Sequence, residues 1–571
     1  MKEEILHFWK GDIDESKETL DTYSHDASLF TIRPSLVLFP KDATDIQALV
    51  RYVQAKKESG GKEYEEISIT MRAAGTDMSG GAINNSLIVD TTKYMNKLIT
   101  FHPHLTEEGA GDGDERSSIT VEPGMFYRDM EKITLEKGLI LPSYTASKEI
   151  CAVGGMVANN SGGEKAIKYG KTENYVTELD VILSDGSLVT VKAMTKNELE
   201  VQMLENTLYG KICRDVWNLL RRNTVEIADA RPRVSKNSAG YYLWNIWDDE
   251  KQVFDLCKIF VGSQGTLGIV TKITFRLVPV EPYTNVLAIF LPDIKHLGAI
   301  VTEILPFTPD SLESYDDYSM KLAVRFFFDF FKQLGFKGAI KLGLQFLPEA
   351  KMLLTGGLPK LILLVEASGK TENEVALELM RIEKTVAHFG YKTHIAKSAS
   401  EAEKYWKIRR ESFNLLRKHV KGKRTAPFID DVIVPPEVLP EFLPRLEALI
   451  KEYNLVYTIA GHAGNGNFHI IPLMDLDSPI SADIILELSQ KVYDLVLEYH
   501  GSITAEHNDG IIRTPFLEQM YGEKIYRLFN EVKFLFDPLL MFNPGKKVGG
   551  TKEAIRRALL AGEHTKHPYG S

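Results

Sequence analysis

The chain has 571 residues, of which 44% are hydrophobic and 26% charged, with a formal net charge of −10. Its length exceeds what a single hydrophobic core supports and implies roughly two to four domains. The acidic balance excludes a nucleic-acid surface, which needs clustered Lys and Arg, and no run approaches the roughly 18 apolar residues of a bilayer span.

The amino-terminal stretch MKEEILHFWKGDIDESKETL carries acidic residues where a signal peptide needs an apolar run. Cys151, Cys213 and Cys257 lie too far apart in sequence for a disulfide framework or an iron–sulfur cluster. A cytoplasmic protein is expected, with peripheral contact to the inner face of a membrane as the alternative.

A first section runs to about residue 281 and alternates short apolar strands with glycine-rich turns. Within it, RAAGTDMSGGAI at 72–83 lies between two predicted strands. It has neither the Gly-Lys-Ser/Thr of a Walker loop nor a G-x-G-x-x-G fingerprint, but its small residues allow backbone N–H groups to converge on an anion such as a diphosphate. The acidic, glycine-rich stretch at 104–119 is predicted to be an exposed loop. CAVGGMVANNSGGEKAIKYGKTENYV at 151–176 and FVGSQGTLGIVT at 260–271 add two more glycine-rich loops. Because ordering glycine costs conformational entropy, three such loops in one section point to a large flat ligand touched by main chain.

The second section begins after PVEPYT, spans 282–549, and reads strand, helix, strand, helix through NVLAIFLP, IKHLGAIVTEIL, KLILLVEAS and TENEVALELMRIEKTVAHFG. That order predicts an α+β sheet with helices on one face. KLAVRFFFDFFKQLGF, residues 321–336, places Phe327, Phe330 and Phe331 on one helical face, which suits a core or interdomain contact, or else a partner or membrane contact. In AGHAGNGNFH, residues 460–469, Asn465-Gly466 read as a two-residue type I′ turn sets His462 directly opposite His469, close enough to share one metal ion. Two core histidines satisfying each other is the alternative. The tail at 550–571 is amphipathic and shows no chemistry.

These motifs, taken in order, carry a resemblance. Arg72-x-x-Gly-x-x-x-Ser-Gly-Gly, then Val-Gly-Gly with Asn-x-Gly-Gly, then Val-Gly-Ser-x-Gly-Thr-Leu-Gly resemble the FAD-binding domain of the vanillyl-alcohol oxidase superfamily, the PCMH type, as does the opening PSLVLFPKDATDIQALV. AGHAGNGNFH, AEHNDG and FNPGK resemble the carboxy-terminal half of its D-2-hydroxyacid dehydrogenase branch, which includes D-lactate dehydrogenases, D-2-hydroxyglutarate dehydrogenases and the glycolate oxidase flavin subunit. The resemblance implies a PCMH-type FAD-binding domain of two α/β subdomains over 1–281, with its core at 34–281. It also implies an α+β substrate domain with an antiparallel sheet over 282–549.

The resemblance further implies the site. FAD contacts fall at Arg72, Ala74, Gly75, Thr76, Asp77, Ser79, Gly80, Gly81, Pro142, Ser143, Gly154, Gly155, Asn159, Ser161, Gly162, Gly163, Gly268, Ile269 and Asn543. Thr76 stands where relatives with a covalent flavin carry His, so the FAD is expected to be non-covalent. His462, His469 and Glu506 would hold a divalent ion, with zinc expected first and iron or manganese next. His507 would be the general base, and the turn signal Asn508-Asp509-Gly510 would let it and Glu506 face different partners. Arg409, in YWKIRRESF, would clamp the substrate carboxylate, with Arg410 as its rival. Phe413 and Ile429 stand where hydroxyglutarate-type relatives differ, and Ile471, two residues past His469 on the same face, would put an apolar group near the metal, suggesting a pocket for a small or apolar side chain.

The expected reaction is oxidation of a D-2-hydroxy acid to the 2-oxo acid, with electrons passing to a separate protein or quinone because a chain ending at Ser571 has no cysteine-rich cluster domain. The Phe-rich segment 326–331 is a candidate contact for that acceptor. An alkylglycerone-phosphate-synthase-like flavin transferase and a non-catalytic flavin electron-transfer subunit are the competing readings.

Overall fold

The computed structural model describes residues 1–104, 117–317, 359–419 and 423–560. The expected loop at 104–119 and the Phe-rich segment therefore lie largely or wholly outside the described residues. Among the described residues five sheets form, and the three largest carry the α+β architecture.

The first sheet contains β1 (Asp12–Asp14), β2 (Leu36–Phe39), β3 (Ile69–Arg72) and β4 (Leu87–Asp90) in the order β1-β2-β4-β3, with β4 parallel to both β2 and β3. LVLF and LIVD are apolar almost throughout because strands of a parallel layer are covered on both faces. Helix Ala43–Glu58 supplies one cover. Asp42 caps it by accepting the amides of Thr44 and Asp45, and Ile46, Leu49, Val50 and Val53, at helical spacing, pack onto Leu36, Leu38, Leu87 and Val89. The first glycine-rich loop leaves the end of β3. The carboxy-terminal segment returns to the same strand, where the Ile69 amide donates to the Met541 carbonyl and the Asn543 amide to the Ile69 carbonyl.

The second sheet is antiparallel: β5 (Leu98–His102), β6 (Ser118–Val121), β7 (Val176–Ile182), β8 (Leu188–Lys192) and β9 (Ile269–Arg276), in the order β5-β6-β9-β7-β8. β9 alternates strictly between buried and half-buried, the period of a strand with one core face.

Among the described residues the third sheet has eight strands. β10 (Tyr283–Leu291), β11 (Ser311–Asp316), β12 (Leu361–Gly369), β13 (Lys392–Ile395), β14 (Arg424–Thr425), β16 (Val456–His462) and β17 (Asn467–Met474) run in the order β13-β10-β12-β11-β16-β17-β14, and β15 (Val432–Ile433) also pairs with β17. On one face Leu287, Ile289, Leu312, Leu363 and Val365 pack on helices Leu297–Ile304 and Glu372–Val386. The expectation of helices on that face alone is corrected by the other: Val286, Ala288, Phe290, Ile362 and Leu364 meet Tyr405 and Trp406 of helix Ala399–His419. An all-apolar run such as VLAIFL needs cover on both sides, which the alternation of helices along the sequence does not reveal. Among the described residues no helix is long and apolar enough to cross a membrane.

Candidate active site

The three glycine-rich stretches converge because polar side chains tie them together. Asp77 folds the first loop on itself, accepting the amides of Ser79 at 3.0 Å and Gly81 at 2.6 Å, and it receives Asn159 Nδ2 from the second stretch at 2.7 Å. Gln264, in the third stretch, donates to Ser79 Oγ and Asn159 Oδ1. Asn543 donates to the carbonyls of Gly81 at 2.9 Å and Gln264 at 2.8 Å.

The glycines divide by role. Gly80 has φ +85°, which favours glycine. An added Cβ at Gly154 would strike Pro123 and one at Gly163 the Tyr144 carbonyl, so chain-on-chain contact explains those two. Gly75, likewise at positive φ, lies over the folded-back Arg72 guanidinium. A Cβ at Gly155 would meet nothing nearer than Ala73, at 3.5 Å. Ala73, Ala74, Gly75, Thr76, Gly155 and Ala158 are half-buried, so these parts of the first two stretches remain partly accessible. Arg72 Nη1 and Asn160 Nδ2 are buried donors without a hydrogen-bond partner. Partly accessible main chain beside the unsatisfied Arg72 donor suits a bound dinucleotide. Pro142, Ser143 and Ser161 are buried in the adjoining wall, where Thr172 Oγ1 bonds both Ser143 Oγ and the Ser161 carbonyl. Gly268 is pressed against Val181, and the Ile269 side chain belongs to the apolar core.

The hairpin brings the histidines together, but not in the expected register. Its connection is the four residues 463–466, a 3-10 turn closed by Gly466 at φ +73°, where an added Cβ would strike the Val434 carbonyl. His462 therefore pairs with Asn467, and His469 with Ala460. The displacement is by an even number of residues, so both imidazoles remain on one face and meet diagonally, Nε2 to Nε2 at 3.4 Å with the rings at 84°.

Glu506 comes from the segment after Ile503. Its position is set by Asp431, which has φ +68° and whose Oδ2 accepts Thr504 Oγ1 and the amides of Ala505, Glu506 and His507 at 2.6 to 2.9 Å. Glu506 Oε1 lies 3.1 Å from His462 Nε2 and 3.4 Å from His469 Nε2. Metal–ligand bonds of about 2.0–2.2 Å put neighbouring donor atoms about 3.0–3.5 Å apart, so this triangle has the dimensions of a divalent-ion site. A second possible metal-binding group comprises Asp431, His469, Glu506 and His507, with ligand atoms within 4.8 Å of one another. Both Asp431 oxygens already accept hydrogen bonds. His507 stacks on His469 with ring centroids 5.0 Å apart at 19°, so the turn at Asn508, φ +70°, sends the two adjacent side chains into one cluster.

Four charged residues that sequence reasoning missed complete the site. Lys236 Nζ sits 2.9 Å from Glu506 Oε2 and 2.9 Å from Asn467 Oδ1. Glu313 joins His462 Nδ1 at 2.5 Å to Arg409, whose Nη2 and Nε lie 2.9 and 3.1 Å from Glu313 Oε2. Asp430 faces His469 and His507. The Asp-Asp pair inside the apolar run FIDDVIV was a legible signal for Asp430 and Asp431, whereas Lys236 and Glu313 carried none. Ile429 is fully buried in the core beside Phe428 and Val432, and Ile471 is also buried. The side chains of Arg410 and Phe413 lie outside the described residues.

The electrostatics follow from burial and pairing. Burial alone would raise Glu506, but Lys236 and His462 hold its carboxyl well below the usual range. Burial opposes protonation of His469, yet Asp430 and Glu506 push its pKa up to about 10. His507 is likewise raised, with Asp431 and Asp430 outweighing burial. The cluster adjoins the glycine loops directly: a Cβ added at Gly162 would come within 3.4 Å of Glu506 Oε2.

Comparison with known proteins agrees with this architecture. Residues 34–192 match the FAD binding domain and residues 280–547 the C-terminal domain of FAD linked oxidases. The chain is 25% identical over 548 residues to D-2-hydroxyglutarate dehydrogenase of Escherichia coli K12, covering 94% of this chain and 50% of that protein, so it spans about half the length of that relative. It is 26% identical to D-lactate dehydrogenase of Archaeoglobus fulgidus, covering 92% of this chain and 96% of that one. The fold superposes on p-cresol methylhydroxylase with a TM-score of 0.64 at 15% identity, covering 95% of this chain and 94% of the other. The chain therefore carries an FAD binding domain followed by the C-terminal domain of FAD linked oxidases, on a fold shared with p-cresol methylhydroxylase.

Proposed function

We propose that the protein oxidises a D-2-hydroxy acid to the corresponding 2-oxo acid, using non-covalent FAD and a divalent ion held by His462, His469 and Glu506. The observation that carries this reading is the juxtaposition of that triangle, with His507 beside it, against the second glycine-rich stretch at Gly162. FAD, when bound, supplies a hydride acceptor for the substrate Cα–H. The loop Arg72–Gly81, the stretch 154–163 and Asn543 would hold it, and Thr76 offers no imidazole for a covalent tether. The divalent ion would supply Lewis acidity to the substrate hydroxyl.

The protein groups divide the remaining work. His507 takes the hydroxyl proton as the carbonyl forms, and its carboxylate neighbours stabilise the imidazolium that results. Arg409 receives the substrate carboxylate on the guanidinium while Glu313 fixes its orientation. Electrons leave to a separate protein or quinone. The hydroxy acid itself is of the lactate, glycolate or 2-hydroxyglutarate type, the substrates named in the chain's relatives.

The test is anaerobic mixing of the FAD-loaded protein with a panel of D- and L-2-hydroxy acids while the flavin absorbance near its visible maximum is followed. One D-acid should bleach it and its L-enantiomer should not. Absence of bleaching by every member, with intact bound FAD, would refute the reading.

A further inference from the structure

Asp430 is fully buried, and its two oxygens face two different imidazoles: Oδ1 lies 3.2 Å from His469 Nδ1 and Oδ2 lies 2.9 Å from His507 Nδ1. Each Nδ1 therefore lies against one shared carboxylate, that of His469 in a hydrogen bond and that of His507 in a charge contact outside hydrogen-bond geometry, and the two rings lie nearly parallel, 19° apart. The backbone holds the anchor in place. Arg513, fully buried, donates Nη2 to the Asp430 carbonyl at 2.7 Å and Nη1 to the Asn508 carbonyl at 2.9 Å, tying the anchor to the segment that carries His507. The left-handed Asp431 next in the chain leaves the two adjacent carboxylates separate tasks, Asp431 gathering the amides of 505–507 and Asp430 gathering the imidazoles.

Resting on the roles given above to His469 and His507, we propose that Asp430 is a single positioning residue for both, orienting the metal-ligand ring and the base ring at once. A carboxylate can accept at both oxygens, so with a small rotation of the His507 ring it keeps the proton of both rings on Nδ1 and leaves both Nε2 atoms available, one to a metal ion and the other to a substrate proton. An asparagine cannot do this. Its amide offers one acceptor oxygen and one NH2 donor, so one of the two rings must turn away or move its proton to Nε2.

The experiment compares the FAD-loaded wild type with Asp430→Asn. Zinc affinity is measured by competition with a chromophoric chelator, and flavin reduction is measured anaerobically across concentrations of the bleaching hydroxy acid. The expected result is zinc binding weakened about 10- to 100-fold, or a limiting reduction rate lowered at least about 100-fold, with the substrate concentration for half-maximal rate changed less than about threefold. A merely structural role would not give that split. Both properties within about threefold of wild type would overturn the proposal. If the variant does not fold, histidine 15N spectra of the zinc-loaded wild type decide instead: Nδ1 of both His469 and His507 should carry a proton, and an unprotonated Nδ1 on either overturns the proposal. Failure of every hydroxy acid to bleach the wild type would count against the proposed reaction alone, since the zinc and 15N readouts still test Asp430.

Discussion

Replacing Lys236 with Met tests whether a divalent ion and an ammonium share Glu506. The lysine side chain is 1% exposed and the glutamate 7%, so solvent cannot take over when the cation is removed. Removing one partner of a buried pair costs about 3–5 kcal/mol. Here Glu506 keeps His462 at 3.1 Å and His469 at 3.4 Å, which favours the lower end. Loss of the hydrogen bond to Asn467 Oδ1 adds about 1 kcal/mol, for a total near 4 kcal/mol in the metal-free protein. A divalent ion on His462, His469 and Glu506 would supply the missing positive charge, so the loss should shrink to about 1–2 kcal/mol in the metal-loaded protein, where the lost hydrogen bond and packing remain. Urea unfolding of wild type and Lys236→Met, each with EDTA and with saturating zinc, reads the difference directly. Equal destabilisation under both conditions would place the ion somewhere other than on Glu506.

His469→Ala should abolish stoichiometric zinc binding and turnover while leaving the visible flavin spectrum unchanged, because the FAD-binding loops come from other strands; metal analysis beside the absorbance spectrum checks both halves. Asn543→Ala leaves the buried carbonyls of Gly81 and Gln264 without their donor, a loss of about 2–4 kcal/mol, and should raise the FAD dissociation constant at least about tenfold by fluorescence of released flavin. A metal ion must displace a proton from a His469 whose metal-free pKa is about 10. Zinc affinity should therefore rise with pH across roughly 6 to 9, with one proton released per ion from that ring, as calorimetry in buffers of different ionisation enthalpy would report; pH-independent binding would exclude His469 as a ligand. Glu313→Gln puts an amide NH2 against either the Arg409 guanidinium or the His462 N–H, so it should raise the KM for hydroxy acid about tenfold or more, and an unchanged KM would remove Arg409 from the substrate site.

The sequence by itself determined the elements and the kinds of residue at the site. Helix Ala43–Glu58 was written in its Asp42 cap and its i, i+3, i+4 apolar spacing, and the strands of the large sheet in runs such as NVLAIFL and KLILLVEAS, because hydrophobic period and capping are local properties. The glycine stretches and the imidazole pair were legible for the same reason: φ > 0 and ligand chemistry belong to single residues. Tertiary structure decided the rest. The hairpin closed through four residues because Gly466 approaches Val434, a residue outside the hairpin, and only the even displacement preserved the face shared by His462 and His469. Lys236, Glu313, Asp430 and Glu506 come from four distant segments and meet because each buried charge needs a counter-charge or hydrogen-bond partner, a demand that only the folded neighbourhood can meet. Local pattern therefore specified which side chains could do chemistry, and long-range compensation of buried charge specified which of them stand together.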